Sequence, residues 1–142
     1  MGRGRKFFRA AGLSVATAVA VAGVLVPASP ASARPHDCSL SVRLSPDPGS
    51  MYARADVNCA NTERYAVQII IRREDGWQGN SNVAEAYAGR NRKGYDWLST
   101  SEPCSDVQTN KKYHAHAYLY DTRAGYPIEV KDVKSSSITG HC

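Results

Sequence analysis

The chain reads as all-β, a single antiparallel β-sandwich stapled by two disulfides. Three observations predict this class: short alternating segments separated by turn clusters, no convincing helical periodicity, and four cysteines in an exported chain.

Residues 1–33 stand apart from the fold. Arg3, Arg5, Lys6 and Arg9 form a positive head, residues 10–26 an uncharged apolar run, and Ala31-Ser32-Ala33 a small-x-small cleavage site. Together they read as a secretory signal peptide cut between Ala33 and Arg34. Gly12, Ser14, Thr17 and Gly23 dilute the run and Pro27 and Pro30 close it, so no membrane insertion is expected after cleavage. The mature chain, 34–142, is then a secreted, extracellular domain. Four of the 18 basic residues and none of the 13 acidic ones precede residue 34. The mature domain is therefore nearly neutral, and its global charge excludes a nucleic-acid partner.

Cys38, Cys59, Cys104 and Cys142 all lie in the mature region. Three connectivities are open, and the sequential one is favoured, because Cys38–Cys59 ties the opening strand to the end of the next. Cys104–Cys142 then anchors the last residue. No C-x₂-C spacing supports a metal site.

Residues 38–44 alternate, with Leu40, Val42 and Leu44 on one face, and residues 45–50 form a Pro/Gly turn. Residues 51–59 read as a second strand, Asn61-Thr62 as a turn, and residues 64–73 as a third, β-branched strand. Asp75-Gly76 is a tight turn. Residues 77–101 look irregular, with short extended runs at 83–87 and 95–98 and a loop tip at 90–94. The cleanest strand is 111–121: Tyr113, Ala115, Ala117 and Leu119 share a core face, and His114, His116, Tyr118 and Tyr120 share the other. A turn at 122–127 and one or two strands within 128–139 complete the chain.

Tyr113-x-Ala-x-Ala followed by a turn and a last strand resembles the late hairpin of an immunoglobulin-like or fibronectin-type domain. That likeness implies a corner hydrogen bond from Tyr113 to nearby backbone.

His114 and His116 are the sharpest chemical feature. Two residues apart on a strand, their rings project from one face and could share a metal with Asp121, Glu129 or His141, or serve a small secreted toxin or nuclease as acid and base with Lys111 or Lys112 on phosphate. Rings adjacent on one strand flank a phosphate poorly, so the expectation is no enzyme, no metal and no cofactor. There is no G-x-S-x-G for a serine hydrolase. Surface aromatics favour a binding role instead: Trp77 and Trp97 with Arg90 and Arg92 nearby, and Tyr118 and Tyr120 beside the histidines. At least one tryptophan is expected to fill a thin core.

The export signal, Arg- and Ala-rich, and the two-disulfide β domain are similar to small exported actinobacterial proteins. Among these, the tendamistat-like amylase inhibitors share four cysteines paired in order, although the Trp-Arg-Tyr inhibitory triplet is absent. The chain also resembles, in size, export and disulfide count, the adaptor subunit of streptomycete umbrella toxin particles. That resemblance implies a larger secreted or cell-surface protein partner, with the leader Arg34-Pro35-His36 docking into it. The overall expectation is a secreted binding or adaptor protein, with a hydrolase inhibitor and a toxin as alternatives.

Overall fold

The computed structural model describes residues 36–142, so the signal peptide, its cleavage site, Arg34 and Pro35 lie outside the described residues. Six strands, β1 (Cys38–Asp47), β2 (Ser50–Glu74), β3 (Asn80–Pro103), β4 (Lys112–Asp121), β5 (Ile128–Lys134) and β6 (Ile138–Thr139), form one antiparallel sheet. The order is β1-β2-β4-β5, with β3 on the opposite edge of β2 and β6 continuing beside β4. The class is all-β with two disulfides. Its hydrogen bonding joins every strand into a single curled half-barrel, where two stacked sheets were expected.

β2 organises the molecule. Its first half pairs with β1 and the end of β3, and its second half with β4 and the start of β3. Asn61-Thr62 is not a turn: residues 60–62 of β2 lie opposite the single residue Lys93, between the pairs Cys59↔Gly94 and Glu63↔Arg92. The extra residues bend the strand without reversing it. Because two more residues stand on β2 than on β3, the inward parity survives the bend. Met51, Ala55 and Val57 before it, and Tyr65, Ile69 and Ile71 after it, all face the core.

Residues 77–101 are more regular than their composition suggests. Asn80 to Pro103 is one strand, and the expected loop tip at 90–94 lies inside it. Pairing with the whole length of β2 satisfies the backbone there, which outweighs the weak strand propensity of Asn, Gly and Lys. The turn expected over 45–50 narrows to Pro48-Gly49, and the tight turn expected at Asp75-Gly76 widens to a tip at 75–79. Gly49 has φ +86, which its lack of a Cβ permits after a φ-restricted proline.

The β4 face Tyr113/Ala115/Ala117/Leu119 is wholly buried. Alanines there and at Ala53 and Ala55 keep the concave face shallow. The large buried side chains are Tyr65, Tyr113, Met51, Ile69, Ile71 and Leu119, and neither tryptophan joins them. The hydroxyl of Tyr113 accepts the Gln108 amide at 2.8 Å, the corner bond its position implied. Gly140 sits against this corner and donates its own amide to Lys111 O at 2.8 Å. The disulfides are Cys38–Cys59, bridging directly paired residues of β1 and β2, and Cys104–Cys142.

Candidate functional site

The outward face of β4 lies over even-numbered β2 residues: His114 beside Arg72, His116 beside Ile70 and Tyr118 beside Gln68. The histidines share this face, as alternation requires, but not an environment. The His114 ring is buried and donates from Nδ1 to Glu74 Oε1 at 3.0 Å. Burial pushes its pKa below the usual histidine value, partly offset by Glu74. Glu74 also accepts the Ser137 hydroxyl, and that bond, then the one from His114, keeps its pKa low.

His116 faces a different acid. Its Nε2 donates to Asp132 Oδ2 at 2.9 Å, which leaves Nδ1 as an acceptor for the Tyr118 hydroxyl at 3.0 Å and Arg72 Nη1 at 3.3 Å. Arg72 also donates to the Tyr118 hydroxyl and to Asn82 Oδ1, each at 3.1 Å. Acid, imidazole and hydroxyl thus follow one another as in a proton relay. The rings, however, stack at 4.3 Å with 27° between their planes. The Nδ1 lone pair lies in the ring plane, so a hydroxyl approaching from the stacked ring meets it poorly. The arrangement rigidifies a surface; it does not activate a tyrosine.

The residues raised as third ligands are engaged apart from one another. Asp121 binds Arg123, Glu129 pairs with Tyr120 in the strand register, and His141 Nδ1 meets Thr139 O at 2.9 Å. Lys111, raised as a phosphate contact, pairs with Asp75 at 3.8 Å.

A second cluster lies on the outer face where β3 pairs with the first half of β2. Trp97 stands beside Asp56 and Tyr95 beside Asn58. The Arg54 guanidinium lies 4.8 Å from the Trp97 ring centroid and 5.9 Å from that of Tyr95. Arg54 Nε donates to Asp56 Oδ1 at 2.8 Å, and the Tyr95 hydroxyl bonds both Arg54 and Asp56. Burial works to raise the Asp56 pKa, but the Tyr95 and Arg54 bonds prevail and hold it low. Tyr95 and Trp97 remain about half exposed, at 52% and 48%. Tyr87, farther along the same face, is exposed too.

Trp77 is 94% exposed at the tip of the β2–β3 hairpin. Its turn, Gly76–Gln78, is closed by Asp75 N donating to Gly79 O at 2.8 Å. The Asp75 carboxylate accepts Arg73 Nε at 2.7 Å and the Ser81 hydroxyl, and these bonds hold its pKa at about 2. A braced turn presents a bare indole.

Other expected contacts bond within the domain, Arg92 while still exposed. Arg90 and Arg92 both reach Asp96, at 2.7 and 3.4 Å, and Asp96 also accepts the Tyr65 hydroxyl at 3.4 Å. His36, expected on an exposed leader, has a buried ring with Nε2 3.3 Å from Arg64 O and 3.7 Å from Asp121 Oδ1. The ring lies against the domain itself, with Nδ1 buried and without a hydrogen-bond partner among the described residues. Arg34 and Pro35 lie outside the described residues. Tyr95 belongs to the aromatic-rich middle of the sequence, whereas nothing in the chain alone singles out Arg54 and Asp56. Their signal was the period-2 spacing of Arg54/Asp56 opposite Tyr95/Trp97, visible only once the β2–β3 register is known.

No family model matches the chain, and no curated protein matches it. Among solved structures, one that the chain partly superposes on is a β-glucosidase from Kluyveromyces marxianus in complex with glucose. The TM-score is 0.38 at 9% identity, over 73% of this chain and 14% of that one.

Proposed function

We propose that this is a secreted, non-enzymatic binding or adaptor protein that engages another protein through the outer face and tip of the β2–β3 hairpin. The observation that carries the reading is Arg54 braced between Asp56 and the half-exposed rings of Tyr95 and Trp97. Arginine, tyrosine and tryptophan dominate protein interfaces, and side chains already fixed lose less entropy on binding. Trp77 supplies a second anchor on the same hairpin. Two disulfides fit an oxidising compartment, and among the described residues no helix is long and apolar enough to cross a membrane. Secretion follows from the 1–33 signal, and a larger secreted or cell-surface partner accords with the umbrella-particle adaptors that the chain resembles.

Cross-linking the mature protein in culture supernatant, followed by mass spectrometry, tests the reading. One larger partner should be captured, and the double variant Trp77→Ala/Trp97→Ala should lose most of it while remaining folded. A partner retained in full by that variant would sink the proposal. Loss of a hydrolytic or toxic activity on His114→Ala and His116→Ala, with capture intact, would favour the enzyme alternative.

A further inference from the structure

The half-barrel is not closed. β1 and β5 are the two ends of the strand order, and β1 lies near both β4 and β5. Near Cys38 the gap is bridged: Lys131 Nζ donates to Cys38 O. Farther along it opens into a slot of about 340 Å³ lined by Val42, Arg43, Leu44, Lys134, Ser135 and Ile138. The cause lies in the chain between β5 and β6. Ser135 still pairs with β4, its amide donating to Ala115 O at 2.8 Å and its hydroxyl accepting the Ala115 amide at 2.8 Å. Residues 136 and 137 then leave the sheet, and β6 resumes for two residues only. The far wall is therefore short.

The lining has a definite chemistry. Val42, Leu44 and Ile138 are partly buried apolar side chains packed on the core. Arg43 and Lys134, both exposed, flank them. Among the described residues neither makes an ion pair, whereas Arg54, Arg73, Arg90 and Arg123 all do. The slot also runs beside β1, a terminal strand whose outer backbone edge has no sheet neighbour. Their charges reach Asp56 from Arg43 and Glu74 from Lys134, but short of a direct ion pair. An apolar floor, two exposed cations and an open strand edge are the requirements for taking in an extended acidic segment.

We infer that the slot between β1 and the β5–β6 edge is a second docking site, and that its occupant is an extended segment of another protein that alternates apolar and acidic residues. An apolar side chain enters between Val42, Leu44 and Ile138. A carboxylate meets Arg43 and Lys134, and the segment's backbone adds to β1. The slot adjoins the aromatic patch, since Arg43 stands opposite Arg54 in the β1–β2 register, but none of the patch's side chains lines it. Two surfaces let one small domain join two proteins.

Short random peptides displayed on phage and selected against the intact protein provide the test. Enriched peptides should place an acidic residue next to or two positions from an aliphatic one. A synthetic winner should shift the methyl resonances of Val42, Leu44 and Ile138. Its affinity should fall about tenfold in the double variant Arg43→Ser/Lys134→Ser, the loss of a charge-assisted contact, and stay unchanged in Trp97→Ala. Both charge positions are exposed, so folding is preserved; unchanged amide spectra of the variant check this. No enrichment, enrichment of basic peptides, methyl shifts elsewhere, or affinity indifferent to the charge variant would each overturn the proposal.

Discussion

Asp75 shows how one carboxylate holds an exposed loop in place. With its folded pKa at about 2, below the ordinary carboxylate value, its contribution is present above about pH 4 and is lost as the pH falls toward 2. Urea unfolding measured across that window should show a decline that Asp75→Asn makes shallower, the remainder coming from Asp56, Glu74 and Asp121, which are also held low. Tyr65 acts at the other end of the scale: burial, then the Asp96 charge, raise its pKa to about 12. A raised phenol favours the fold below the unfolded value near 10 and loses that contribution as the pH climbs through 12. Near-ultraviolet titration should show one tyrosine ionising after the others, and Tyr65→Phe should remove that late step. Gly140 is a steric matter. A Cβ there would lie 2.3 Å from Gln108 O and 2.7 Å from Tyr113 Cε2, so Gly140→Ala should cost ~1–3 kcal/mol in a denaturant midpoint series. Tyr113 and its corner bond were legible from the strand pattern. Gly140 was not, because nothing local marks a residue whose constraint comes from a ring 27 positions away.

At the scale of the element, β4 was the most legible piece and β3 the least. In β4, apolar alternation and burial coincide, so Tyr113, Ala115, Ala117 and Leu119 announce their face. β3 is polar, glycine-containing and an edge strand, and what holds it extended is the length of β2, a non-local cause. The same limit hid the Arg54 cluster, whose members sit about 40 positions apart. It also explains why His114 and His116 looked equivalent: alternation assigns a face, but only the neighbouring elements distinguish the fully buried His114 ring from the partly covered His116 ring. The disulfides join elements at predictable strength. Sequence separations of 21 and 38 correspond to about 3 and about 4 kcal/mol of unfolded-chain entropy. Cys38→Ser/Cys59→Ser should lower stability by about the first amount, read from the shift in urea midpoint. Trp77→Ala should change it by no more than ~0.5 kcal/mol, as expected of a side chain with almost no contacts.

For the molecule as a whole, an all-β domain with two disulfides was legible, because turns, alternation and cysteine parity are properties of the chain alone. The curl into one half-barrel was not: it arises at residues 60–62, three polar or small residues that resemble any turn until their partners are known. The aromatic patch lies on the β2–β3 hairpin and the slot at the β1–β5 opening, side by side where Arg43 stands opposite Arg54. The shared strand also bears on how the protein reaches this form. β1 joins β2 through a two-residue connection and β3 joins it through a short tip, so both pairings are closures of nearby chain. β4 must instead cross back from beyond β3 to reach β2, matching Glu74 to Lys112 and Tyr65 to Asp121. Loops of that span close more slowly than hairpins. A three-stranded intermediate of β1, β2 and β3 should therefore precede β4 docking, with the β2 residues Ile69 and Ile71 still uncovered. Stopped-flow refolding in the presence of a dye that brightens on apolar surface should show a transient rise. Ala117→Gly in β4 should lengthen that rise by slowing the docking step.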